Sequence, residues 1–301
     1  MRIGSYDTLS SLMLYTFDLP LFFFISGFLA YKATMSISDI GKAIKKKFVL
    51  LVMPALAFSI AYNLLYHKDV LSPLYKGFGL YWFTISLFEC FLIYYAVLLL
   101  VKNQTQRNVT LVLLSLVSIG LLSVFSEFGP GILDFNHLFK YFYFFVIGIF
   151  AKEYKSFYDK LIRSELFKGF SIVVFFVLLF IIDYEFWPNV VFRFTRDIVL
   201  RVLGTAVVVS FFVTHSSFFE KKNKINTVVG EIGKKSLAIY LLQYFFIPNF
   251  SAYPEWLHGL DQFNVHLVSG IYTIFITITC FIFIYLLEQS RFVKKYILGL
   301  K

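Results

Sequence analysis

The sequence predicts an all-α protein, a polytopic bundle of about nine transmembrane helices, and three observations carry that prediction. Hydrophobic residues make up 59% of the 301-residue chain and charged residues only 15%. A soluble domain runs nearer a quarter charged, because its water-facing surface must be covered with polar groups. The apolar residues gather into nine runs, most of them close to the ~20 residues that a helix needs to cross the hydrocarbon. Basic residues then alternate between the connections that separate the runs. The runs are continuous rather than alternating in polarity, which argues against a β-barrel.

The first run, at roughly 9–31, contains Asp18 and Pro20 and has no small-residue cleavage site after it, so it reads as a helix and not a leader. Runs at 46–66 and 79–101 follow, the former entered through Lys45 to Lys47 and the latter holding Trp82. Next come 109–125, 138–154, 167–183 and 193–214, and the last two lie at 234–250 and 265–288. The connections after runs one, three, five and seven, together with the tail, hold 21 of the 28 Lys and Arg. The opposite side takes most of the loop acids, among them Glu127, Asp134, Asp183, Glu185, Glu255 and Asp261. By the positive-inside rule the first set is cytosolic, and the C-terminus with it. Trp82, Trp187 and Trp256 fall near outer ends, where an interfacial aromatic belt would put them. No internal repeat or linker divides the chain, so residues 1–301 read as one domain of a multi-pass protein in the cell (inner or plasma) membrane. An odd number of crossings places Met1 outside the cytosol, an arrangement expected of a ten-helix protein without its first helix.

Composition also narrows the function. The net charge of +10 sits in short clusters between apolar runs, a topology signal and not a nucleic-acid footprint. Cys90 and Cys280 lie inside apolar runs and read as small buried hydrophobes. His67, His137, His215, His258 and His266 show no metal-ligand spacing, so no metal is expected. There is no GxSxG, Gly-rich phosphate loop or Cys/His constellation.

Ionisable groups at bilayer depth are costly and mark functional sites by default. Asp18 lies near the middle of the first run, just before Pro20, which frees a carbonyl and can open the helix. Glu89 lies near the middle of the third. Arg193, Asp197 and Arg201 recur every four residues on one helix face, with Arg196 beside them. That ladder is either a salt-bridged packing face or a binding site for an anionic or sugar-like group. Asp18 and Glu89 could share a proton as a carboxylate pair, or each could pair with a basic side chain. His137 stands at an outer helix end, positioned for packing or for catalysis.

The stretch Phe17-Asp18-Leu19-Pro20-Leu21-Phe22-Phe23-Phe24-Ile25-Ser26-Gly27-Phe28 is similar to a signature of the acyltransferase 3 family, membrane-bound acyltransferases of bacterial polysaccharides and related substrates. Further landmarks follow in the family's order: Lys45-Lys46-Lys47-Phe48 leading to Pro54, Leu80 to Phe88, Tyr141 to Phe150, Ile232 to Phe246, and the closing tail. The resemblance covers nearly the whole chain. It implies a ten-helix bundle that takes an acyl group, often acetyl, from acetyl-CoA or another acyl-CoA. The group passes to a hydroxyl of a polysaccharide or lipid-linked glycan acceptor.

The same resemblance identifies departures. The family's Arg and His of its first helix are not in this sequence. Asp18 stands where many members have His, Gln243 where many have another His, and Leu50 where Arg is frequent. Attack by a hydroxyl on a thioester benefits from a base, usually His, and Asp18 is the substitute this sequence offers. Ser26, Glu89, His137, Arg193, Arg196 and Arg201 are its substrate-binding candidates. The corresponding expectation is that the 301-residue chain does not bind its donor normally and shows no robust acetyl-CoA-dependent transfer. A catalytically silent homologue acting as scaffold or binder is the alternative, and a glycan or lipid transporter a further one, though transporters typically carry internal repeats.

Overall fold

The computed structural model describes residues 9–124, 135–180, 190–221, 223–247 and 262–300. Among these residues there are helices and no strands. Helix α1 spans Leu9–Ala30 and runs through Pro20. The amphipathic helix α2 (Ile37–Lys47) begins where the Ser36 hydroxyl accepts the Asp39 N–H at 3.1 Å. It closes on Lys45, Lys46 and Lys47, with Asp39 in its first turn. The chain then passes through a π-helical turn, Phe48–Val52, into α3 (Met53–Leu65). Pro54 has no N–H for the carbonyl of Leu50, and the wider register of the π turn carries the helix past that missing bond.

Helix α4 (Trp82–Leu100) follows a short 3-10 turn at Gly79–Tyr81, and α5 covers Gln104–Val124. Helices α6 (Phe135–Glu153), α7 (Lys155–Arg163), α8 (Glu165–Phe180) and α9 (Val190–Thr214) come next. The short α10 (Ser216–Phe219), α11 (Lys224–Gln243), α12 (Gln262–Leu287) and a second π turn, Val293–Ile297, complete the order. Each of the nine apolar runs coincides with a helix. Five stretches among the described residues are long and apolar enough to cross a membrane: Met13–Ala30, Ile37–Leu65, Gly79–Leu100, Thr195–Thr214 and His266–Leu287. Glu231, Lys234 and Lys235 within α11 and the described extent of α5 and α8 keep those helices below that measure. Trp187, Trp256, His258 and the loop acids Glu127, Asp134, Asp183, Glu185, Glu255 and Asp261 lie outside the described residues.

Packing centres on α6, which lies against α1, α4 and α5, while α9 packs on both α1 and α8. The core there is aromatic, with Phe23, Phe91, Phe142, Phe144 and Phe145 fully enclosed. A second cluster joins α3, α11, α12 and the C-terminal turn around Ala55, Leu241, Ile284 and Leu298. Cys90 and Cys280 are free thiols, both buried, as their apolar setting predicts. Outward faces remain greasy: Leu29, Leu100, Leu166 and Phe170 are all exposed. Hydrocarbon is the solvent that such a surface suits.

The α1–α6 crossing is the closest in the fold. A methyl on Gly148 would overlap the Phe24 carbonyl oxygen and lie 2.8 Å from the Phe28 nitrogen. Gly27 is its reciprocal, since a methyl there would meet the Phe145 carbonyl oxygen and sit 2.7 Å from its carbon. Small residues that let backbones touch are how helices associate where lipid supplies no hydrophobic drive.

Candidate functional site

The α1–α6 contact brings Asp18 to the same neighbourhood as Tyr141. Asp18 is half-buried, and its carboxylate accepts the backbone N–H of Leu19 at 2.6 Å. Arg201 of α9 faces it electrostatically and acts on the Tyr141 hydroxyl in the same way. The Arg201 guanidinium lies 6.0 Å from the centre of the Tyr141 ring. Three helices therefore converge on one carboxylate, one guanidinium and one phenol.

Glycine permits the approach of α9. A methyl on Gly204, one turn beyond Arg201, would sit 3.0 Å from Thr16 Oγ1 and 3.0 Å from Phe175 Cε2. Thr16 is two residues from Asp18, so the small residue at 204 sets how near the guanidinium comes to the carboxylate.

Aromatic rings wall the cluster. Tyr141 stacks on Phe23 with ring centres 4.9 Å apart and on Trp82 at 5.8 Å. Trp82 also stacks on His137, with ring centres 3.6 Å apart. Lys140 feels both Arg201 and Asp197, and Asp197 is tied to Arg196 by a 2.7 Å ion pair. Arg196 is buried while Asp197 is half-exposed, so this bridge turns from the helix packing toward the surface.

The structure thus gathers Asp18, Arg201 and, through Trp82, His137. It places Arg196 on the same helix, five residues from Arg201. Arg193 belongs to α9, but its side chain lies outside the described residues. Glu89 is buried on α4, seven residues past Trp82 and so about 10 Å along the axis. Among the charged side chains, Arg201 acts on Asp18. Ser26 is partly buried on α1, eight residues and about 12 Å beyond Asp18. Among the described residues no group of three or more His, Cys, Asp or Glu is placed to hold a metal ion.

Tyr141, Lys140 and Phe23 complete the cluster, and nothing in the sequence sets them apart. Tyr141 opens an aromatic run, and one phenol among 20 tyrosines carries no distinguishing pattern.

A carboxylate, a guanidinium and a phenol facing one another are suited to moving a proton beside a developing oxyanion. Comparison with known families gives that chemistry a context: the acyltransferase 3 family, described as an acyltransferase domain, matches residues 2–287. The chain belongs to the acyltransferase 3 family. The match takes in every helix named above and stops at the end of α12, so the second π turn lies beyond it. Comparison with curated proteins and with solved structures gave no match. Family membership and the apolar helices together make this a multi-pass membrane acyltransferase in the general sense.

Proposed function

We propose that this acyltransferase 3 protein is an O-acyltransferase of the cell membrane. It takes an acyl group, acetyl in the simplest case, from an acyl-CoA on the cytosolic side. The acceptor is a hydroxyl of a polysaccharide or lipid-linked glycan. The C-terminus lies in the cytosol, because the loops on its side hold most of the Lys and Arg. The observation that carries this reading is the family match over residues 2–287.

In this reading the acceptor oxygen bonds to the thioester carbonyl carbon while its proton passes to the Asp18 carboxylate. The oxyanion is held by Arg201, whose guanidinium lies 6.0 Å from the centre of the Tyr141 ring. Collapse of the intermediate breaks the carbon–sulfur bond, and the proton held by Asp18 leaves with the thiolate of CoA. In this reading His137, Arg193 and Arg196 serve the acceptor, with Ser26 and Glu89 as further substrate-binding residues.

The test uses the full chain in lipid nanodiscs with acetyl-CoA and a glycan acceptor, following free thiol release. Asp18→Asn is expected to lower the rate by about 100-fold or more, the usual worth of a general base. An unchanged rate would remove Asp18 from that role. The second reading, a silent homologue that binds without turnover, is favoured by Asp18 and Gln243 at positions where the family resemblance leads one to expect His. It predicts no thiol release from a folded wild-type protein.

A further inference from the structure

Opposite ends of the chain build one strongly basic cavity. Its volume is about 740 Å³, and Lys42, Lys45, Lys46, Arg291, Lys294 and Lys295 line it. Among the described residues only Lys42 of these six forms an ion pair, an exposed one with Asp39 at 3.9 Å. Six cations around one space repel each other, and an anion between them relieves that repulsion.

The walls are constructed rather than incidental. Both π-helical segments face this cavity, Phe48–Val52 through Val49 and Leu50 and Val293–Ile297 through Lys294, Lys295 and Tyr296. Such turns re-aim side chains and recur at functional sites. Leu298, fully buried, anchors the second turn in the α3–α11–α12 core. Gly299, at a φ of +64°, presses the tail against α3: a methyl there would lie 2.7 Å from the Leu50 carbonyl oxygen. That is the carbonyl Pro54 leaves without its helical donor.

Lysine ammoniums are point charges suited to phosphate oxygens, and Val49, Leu50, Tyr296 and Leu300 offer an apolar wall beside them. The matching ligand carries several phosphates next to a flat, less polar group. We propose that this cavity holds the phosphate-bearing nucleotide end of the coenzyme A donor, with the segment from Arg291 to Lys295 supplying half of its cations. The assignment to coenzyme A rests on the reading of the chain as an acyl-CoA-dependent enzyme. A phospholipid headgroup offers the same phosphate chemistry, with one phosphate in place of a cluster.

The experiment measures binding of free coenzyme A, which needs no turnover, to the full-length protein in phosphatidylcholine nanodiscs by calorimetry. Pantetheine, which lacks the phosphates, is expected to bind at least about tenfold more weakly, and coenzyme A binding to weaken as salt rises. Lys294→Ala/Lys295→Ala is expected to weaken coenzyme A by a similar factor while leaving pantetheine and thermal stability unchanged. Equal affinity of wild type and the double variant for coenzyme A overturns the proposal. So does loss of coenzyme A binding on adding phosphatidylglycerol to the nanodiscs, because the cavity then belongs to a lipid headgroup. Phosphate-dependent binding without acyl transfer would sustain the cavity and refute the enzyme reading; transfer with an unaffected double variant would do the reverse.

Discussion

Replacing Gly148 by Ala tests the contact on which the site is built. The added methyl overlaps the Phe24 carbonyl oxygen and lies 2.9 Å from its carbon, both backbone atoms of a helix interior. A carbon and a carbonyl oxygen settle at about 3.3–3.6 Å, so α1 and α6 must move apart by roughly 1 Å. A gap of that size forfeits up to half of the well depth for the atom pairs along the crossing. With ~40 such pairs at 0.1–0.2 kcal/mol each, the loss is about 2–4 kcal/mol, at or above the upper end of ordinary overpacking costs. Cys90 and Cys280 are both 0% exposed, so a thiol-reactive fluorophore reports unfolding on heating. Gly148→Ala is expected to lower the midpoint by about 5 °C or more. Gly230→Ala in α11, where nothing lies within 4 Å of the new methyl, is expected to be neutral or stabilising. Equal midpoints for Gly148→Ala and wild type would mean that the two backbones do not touch.

Arg201→Gln removes the cation that faces Asp18 and, with both groups only partly buried, is expected to destabilise the fold by about 0.5–1 kcal/mol. Asp18→Asn/Arg201→Gln should recover part of that loss, and additive effects in the same thermal assay would deny the pairing. Outside the spans, Lys234 donates to Glu231 at 2.7 Å and holds that carboxyl below the ordinary value of 4.5. Because the folded value is the lower one, the pair's contribution is complete above about pH 4.5 and fades as pH falls through the folded value. Lys234→Met should raise the Glu231 midpoint in an NMR titration, and an unmoved midpoint would contradict the bond.

The helices were legible because continuous apolar runs leave the backbone no partner but itself in lipid. The amphipathic α2 and α7 were not, since each is short, basic and below the hydropathy of its neighbours; only the Ser36 and Asp39 pair at the start of α2 marked a helix there. Asp18 and Arg201 stood out in the sequence because charge at depth is rare. Tyr141 did not, since a phenol passes as ordinary bulk in a chain so rich in aromatics. The basic cavity was invisible for another reason. Lys42 to Lys46 and Arg291 to Lys295 are nearly a chain length apart, and clusters of that kind already had an explanation in topology.

The two glycine contacts differ in a way that bears on motion. At Gly27 and Gly148 the opposing atoms are main chain, which has nowhere to go; at Gly204 they are the side chains of Thr16 and Phe175, which can rotate. Helices α1 and α6 therefore travel as one body, carrying Asp18 and Tyr141 at a fixed separation. The seam beside α9 is the place where the bundle can slide, and Arg201 rides on the moving side of it. Any widening of the site to admit a substrate is a shear of α9 against that body, and it draws the guanidinium away from the carboxylate as it opens.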